Sequence, residues 1–416
     1  LSSRKPAVLL IDPVKTGEGY KKAARDFGLH VVSLYTVEPT ELNSRWPEHT
    51  RDDDASLYAS TAPDVLAALA DTDFEVKAVV PAMESAVHLT DVLAHELGLA
   101  GNDVELAWAR RNKAAMRSHA SQAGVRIPAF RLVHDMAEVP AAAEEIGFPV
   151  IVKPTMGAGS HGVTLVRDAE EAKSLRIPEE NDLFGWPVRE WLVEQYVRGR
   201  EFAVNCFSSD GQHRVMDMWE YRQPDDRDYD FPLWNNVQAT RDDPDWARVE
   251  EYVHQVLTAF GVRRGPSHTE VKCTPDGVYL MEIGARLPGG PATDQWADYT
   301  AIRPFHDALT CYLGRRPAIM DQDLDVRAMF GAIAIRNDDA PGTLVAVHGL
   351  AELESHPSVD KVLVSYRPGD HVPVTRDTKT IPVGAWVSGP DQDAVVRALA
   401  EIRALVSLEI AFDASA

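Results

Sequence analysis

Glu270 and Glu282 stand on two short alternating runs, 268–274 and 278–283, joined at Pro275-Asp276-Gly277. A turn centred on Asp276 makes the two glutamates direct cross-strand partners on one face. Carboxylates opposed at about 5 Å repel each other, and a hard divalent cation bridging them removes the repulsion. A solvated edge in a shifted register is the plainer alternative. Immediately beyond runs Ile283-Gly284-Ala285-Arg286-Leu287-Pro288-Gly289-Gly290. An arginine beside a two-carboxylate metal site suits contact with a phosphoryl group or an oxyanion; a surface arginine paired with an acid is its bland counterpart.

A second stretch supplies the anion-binding half. Val150-Ile151-Val152 reads as a buried strand ended by Lys153-Pro154, followed by Gly157, Gly159 and Gly162 and a further apolar run, 163–166. Backbone N–H groups approach phosphate oxygens where no Cβ intervenes, and a lysine adds a point charge. The loop is not a Walker A motif, because Val163-Thr164 stands where Lys-Ser/Thr is required. Taken alone it is equally a plain hairpin with a glycine-rich tip.

These residues need elements to hold them. Apolar runs at 7–11, 30–34 and 76–80 alternate with helical patterns, including 84–97, which predicts a parallel, Rossmann-like sheet. Gly17 and Gly19 read as a structural turn. The pattern over 103–123 predicts one amphipathic helix carrying Arg110, Arg111, Asn112, Lys113 and Arg117, for which a solvated basic face is the plain reading and a functional one stays open. A strand at 130–133, a helix at 136–146, a strand at 191–197 and a turn at 198–201 follow. A hairpin of 202–207 with 214–219 turns at Asp210-Gly211, then come a long loop over 221–236 and a helix over 245–260. Strands at 329–335, 362–364 and 382–387 and a helix at 394–406 predict a separate C-terminal α+β domain.

At 416 residues the chain suits roughly two to three domains. Cys206, Cys273 and Cys311 are scattered, which argues against a disulfide frame or a zinc site. The formal charge of −22 disfavours nucleic acid and anionic membranes as partners. No apolar run approaches the roughly 18 residues of a membrane span, and no basic-then-apolar leader opens the sequence. A soluble cytoplasmic protein is expected, and a homodimer from the frequency of such assemblies.

The order Lys113, Lys153, Gly-rich loop, Glu194-Gln195-Tyr196-Val197, Glu201, Glu270, Glu282 resembles the ATP-grasp enzymes. The run Glu282-Ile283-Gly284-Ala285-Arg286-Leu287-Pro288-Gly289-Gly290 is most similar to the L-amino-acid ligases that make dipeptides. The resemblance covers about 102–314 and implies three parts. These are a Rossmann-like 1–101, an ATP-grasp 102–314 (flap-bearing part about 125–200, hinge and metal part about 201–314) and a C-terminal α+β 315–416. It implies that Lys113 and Lys153 hold the α/β phosphates of ATP and that Met156, Gly157, Gly159, Ser160 and Gly162 close over the β/γ phosphates. Glu194, Gln195, Tyr196 and Val197 would bind adenine, and Glu201 the ribose. Glu270 and Glu282 would carry two Mg²⁺ ions, with Mn²⁺ as a substitute, and Arg286 would stabilise phosphoryl transfer and the tetrahedral intermediate.

The implied reaction is amide formation between a carboxylate and an amine through an acyl phosphate, releasing ADP and phosphate. Glu84, Arg286, Gly289 and Gly290 are substrate candidates, and His268 either assists deprotonation of the amine or is structural. Trp219, Tyr221 and Trp234 are candidate pocket walls or ordinary aromatic core. Gly284 departs from the asparagine many ATP-grasp ligases carry there, which leaves the second metal's shell to water or phosphate. A carboxylase-type enzyme activating bicarbonate and a non-catalytic ATP-binding regulator are the alternatives.

Overall fold

A computed structural model describes residues 4–176, 188–224, 228–229 and 231–412. The first hundred residues form a parallel four-stranded sheet in the order Ala55–Tyr58, His30–Tyr35, Lys5–Ile11, Phe74–Pro81. Three strands match the expected runs. Ala55–Tyr58 escaped because it is short, at most half-buried and preceded by three aspartates. The sheet buries Ala7 through Ile11 completely, as a parallel sheet covered on both faces must.

The helix expected over 103–123 is broken. A 3-10 turn, Val104–Leu106, precedes an α-helix, Lys113–Gln122, whose Asn112 side chain accepts the Ala115 amide as an N-cap. The cap makes Lys113 the first helical residue. The basic residues on this segment are not a solvated face. Arg110 and Arg117 are fully buried: Arg110 Nη2 lies 2.7 Å from Asp91 Oδ2, and Arg117 Nε lies 2.6 Å from Glu194 Oε1. A helical-wheel reading sees charge and assigns solvent; the partners come from distant segments.

A small antiparallel sheet, in the order Phe130–Val133, Trp191–Gln195, Val150–Pro154, Thr164–Val166, carries the Gly-rich loop. The largest sheet has eight strands. They run Gly277–Gly284, Gly265–Thr274, Arg200–Ser209, Gln212–Arg222, Asn235–Gln238, Met329–Ile335, Val383–Gly389, Val359–Val364. The expected turn at 198–201 is instead the start of a strand at Arg200. The expected loop over 221–236 gives up its ends to two strands, and 225–227 and 230 lie outside the described residues. Asp210 and Gly211 turn the hairpin with φ of 53° and 77°, the positive values a tight two-residue turn requires.

The final segment is not separate from this sheet. Met329–Ile335 pairs with Asn235–Gln238, and Val383–Gly389 pairs with Met329–Ile335. The helix Gln392–Leu405 packs Val395, Leu399 and Ile402 against it. A three-stranded sheet of His371–Val372, Gly342–His348 and Ser407–Phe412 lies alongside; its strands have too little buried apolar alternation to read from sequence.

Candidate active site

The hairpin Gly265–Thr274 with Gly277–Gly284 alternates by period two. Thr269, Val271 and Cys273 enter the core, while His268, Glu270 and Lys272 turn to the other face. Glu270 does pair with Glu282, though by a different route from the expected one. The turn has two residues, Pro275-Asp276, because Thr274 pairs with Gly277. That register, continued, sets Glu270 opposite Met281. A β-bulge at Met281 shifts the pairing by one residue, and Met281 and Glu282 are both half-buried in succession. The bulge returns Glu282 to the face of Glu270.

Around these carboxylates lies a cavity of about 580 Å³. It is lined by Lys113, Lys153, Met156, Gly157, Gly159, Ser160, Glu194, Gln195, Tyr196, Val197, Glu201, His268, Glu270, Glu282, Arg286, Gly289 and Gly290. Two expected residues stand behind the wall. Gly162 closes on Pro154, whose Cγ would lie 2.9 Å from an added Cβ. Glu84, at the end of a parallel strand, reaches the cavity through Arg286, whose Nε donates to its Oε2 at 2.7 Å. Of the aromatic candidates, Tyr221 and Trp234 line the cavity. Trp219 is core and donates its indole N–H to Asp217 at 2.8 Å.

Each basic group in the cavity has an acidic partner. Lys113 Nζ lies 3.0 Å from Glu282 Oε1, Lys153 Nζ 2.6 Å from Glu194 Oε2, and Lys272 Nζ 3.2 Å from Glu201 Oε2. Arg117, one helical turn after Lys113, also pairs with Glu194. Burial alone raises the Glu194 carboxyl, but Arg117 and Lys153 outweigh it and bring it down to about 2. Burial pulls the Lys153 ammonium down; Glu194 opposes this, and the nearby charges of Arg117 and Lys113 add to the lowering. Burial raises Glu201 and Lys272 only partly offsets it. Glu270 resists burial through the His268 ring, 3.5 Å away, and the Tyr221 hydroxyl, which donates at 3.2 Å; its carboxyl is held low.

His268 has a fixed neighbour: its Nδ1 lies 2.8 Å from Asn205 Oδ1, and Asn205 Nδ2 donates to the buried Asp217 at 2.6 Å. Lys272, Arg117 and Asn205 were missed in the sequence. Period-two spacing from Glu270 would have found Lys272, and the one-turn spacing from Lys113 would have found Arg117.

Among the described residues no cluster of three or more His, Cys, Asp or Glu side chains forms a metal cage. Two facing, partly exposed carboxylates suit a magnesium ion that keeps water and takes phosphate oxygens for its remaining positions. Gly284 shows why the asparagine is absent. A Cβ there would lie 2.9 Å from Glu84 Oε2 and 3.6 Å from the Arg286 guanidinium, so the glycine leaves room for the Glu84–Arg286 pair.

Residues 146–294 match the ATP-grasp domain, and residues 338–411 match L-amino acid ligase C-terminal domain 2. The chain is 29% identical over 296 residues to dapdiamide A synthase of Enterobacter agglomerans, covering 69% of each. It is 22% identical over 371 residues to the L-arginine-specific L-amino acid ligase of Bacillus subtilis, covering 87% of this chain and 86% of that one. The crystal structure of an L-amino acid ligase from Bacillus licheniformis shares the fold, with a TM-score of 0.76 at 20% identity over 99% of this chain and 100% of that chain.

Proposed function

We propose that this chain, which carries an ATP-grasp domain followed by an L-amino acid ligase C-terminal domain, is an ADP-forming ligase that makes C–N bonds between an amino-acid carboxylate and an amine. The observation that carries the reading is Glu270 facing Glu282 in the chamber that also holds Lys113, Lys153 and Arg286.

A carboxylate resists amines because its charge repels them and oxide is a poor leaving group. Its attack on the γ-phosphate of ATP gives an acyl phosphate and ADP; the amine then attacks the carbonyl, and phosphate leaves. Lys113 exchanges Glu282 for α/β-phosphate oxygens, and Lys153 turns its remaining N–H donors to the same oxygens. Glu194 holds Lys153 in place and, with the backbone of Gln195, Tyr196 and Val197, frames adenine; Glu201 takes the ribose hydroxyls. Met156 to Gly162 cover the β/γ phosphates and exclude water. Magnesium, two ions with Mn²⁺ as substitute, would be held by Glu270 and Glu282 and supplies charge neutralisation at the phosphates. Arg286, oriented by Glu84, faces the transferring phosphoryl group and the later oxyanion. Gly289 and Gly290 let substrate approach the backbone, and His268, whose Nε2 lies 3.5 Å from Glu270 Oε1, would assist deprotonation of the amine.

A screen of amino-acid pairs for phosphate release, with mass detection of the product, tests the reading. ADP, phosphate and an amide are expected, and hydroxylamine traps the activated partner. Formation of AMP and pyrophosphate overturns it, and stimulation by bicarbonate without an amine would favour a carboxylase instead. No helix among the described residues is long and apolar enough to cross a membrane.

A further inference from the structure

The Gly-rich segment touches the C-terminal region at two adjoining points that the catalytic roles leave unused. The Thr378 amide donates to the Gly159 carbonyl at 3.1 Å. A Cβ on Gly159 would lie 2.4 Å from Thr378 Oγ1, and Gly159 has a φ of 64°, so the close approach and the backbone both call for glycine. Next to it, His161 Nδ1 lies 2.7 Å from Asp377 Oδ2. Asp377 is buried and prepared for this contact. Its Oδ1 accepts the Lys379 amide at 3.0 Å, the Thr380 amide at 2.9 Å and the Thr380 hydroxyl at 2.8 Å, which leaves Oδ2 turned toward the flap. Gly159, His161 and Thr378 all line the cavity.

We infer that Asp377 and Thr378 form a seat for the Gly-rich flap, and that His161 and Asp377 are positioning residues that hold the flap down while the acyl phosphate awaits its amine. The inference rests on the ligase reading above. The acyl phosphate has two fates: amine attack forms the C–N bond and expels phosphate, while water attack returns the carboxylate and expels phosphate, so that ATP is spent without product. A flap that lifts between the two steps favours the second fate. Because the seat belongs to the segment that also walls the cavity with Ile381 and Trp386, flap closure and the far wall of the chamber are fastened together.

The readout is ADP formed per amide formed, measured on the full chain with a productive amino-acid pair. The ratio is expected near one in the wild type and to rise roughly tenfold in His161→Ala, the factor that one hydrogen bond to a charged group supplies. Asp377→Ala is expected to do the same, and the double variant no more than either single one, because both act through one contact. An unchanged ratio in a His161→Ala protein with wild-type melting temperature overturns the inference, as do two effects that multiply. Should Asp377→Ala fail to fold through loss of its turn, His161→Ala alone decides. A wild type that forms ADP but no amide from any pair removes the ligase reading and this inference together. A wild type that makes amide beside an unmoved variant removes this inference only.

Discussion

Lys113 Nζ lies 3.0 Å from Glu282 Oε1, so the lysine proposed to bind phosphate and the carboxylate proposed to bind metal neutralise one another in the chamber wall. Lys113 also reaches the Gly157 carbonyl at 3.3 Å, which ties the same ammonium to the flap. On the proposed mechanism a magnesium nucleotide would divide this pair, the lysine turning to phosphate and the carboxylate to the metal.

Glu282→Gln should therefore lower ADP formation at least about a hundredfold, the scale of losing a group that stabilises transition-state charge. Lys113 is buried and Glu282 only partly exposed, so losing the charge should also lower stability, by more than the roughly 1 kcal/mol of a surface pair. A coupled ADP assay beside a thermal melt checks both, and near-normal turnover would remove Glu282 from the metal site. Chelation of the divalent ion should abolish turnover in the wild type.

Lys153 and Glu194 should separate function from folding. Lys153→Ala leaves the Arg117–Glu194 pair intact and should weaken nucleotide binding at least about tenfold, the loss of one charge-assisted contact, with the fold retained. Glu194→Ala leaves Arg117 and Lys153 buried without their carboxylate and should cost about 3–5 kcal/mol. Calorimetric titration with nucleotide and urea unfolding distinguish the two; equal destabilisation would contradict the shared-carboxylate geometry.

The same carboxylate predicts an acid limb of stability. Its folded pKa of about 2 lies below its ordinary value of 4.5, so the folded protein binds the proton less readily than the unfolded chain. The contribution is complete above about pH 4.5 and is lost as pH falls toward 2. Urea midpoints across that window should fall more steeply for the wild type than for Glu194→Gln.

Gly284→Ala should break the Glu84–Arg286 contact, since its Cβ would lie 2.9 Å from Glu84 Oε2. Turnover should fall about tenfold, the effect of displacing a positioned catalytic group, while nucleotide affinity stays unchanged. Equal loss of both would mean that the strand itself had moved.

The hairpin shows how much of this was legible beforehand. The facing of Glu270 and Glu282 followed from spacing, yet the turn assumed for it was one residue too long, and the bulge at Met281 made up the difference. Spacing counts residues and does not see which one is extruded. The cavity-lining residues of the Gly-rich loop and the hinge were readable because each carries its signal locally. Arg117, Asp377 and the Glu84–Arg286 pair were not, because their partners lie up to hundreds of residues away and burial of a charge leaves no local trace. The C-terminal strands looked independent for a similar reason: a ladder between Asn235–Gln238 and Met329–Ile335 has no signature in either strand alone.

That ladder bears on how the chain can be cut and recombined. Removing everything after Arg315 would strip Asn235–Gln238 of a hydrogen-bonded neighbour and leave an open edge, the usual template for aggregation. Exchange of substrate preference between relatives by swapping C-terminal pieces would meet the same obstacle, since the graft must match a seam of backbone amides as well as a pocket wall. Inheritance of new specificity in this architecture is therefore easier by point changes inside the chamber than by shuffling whole segments.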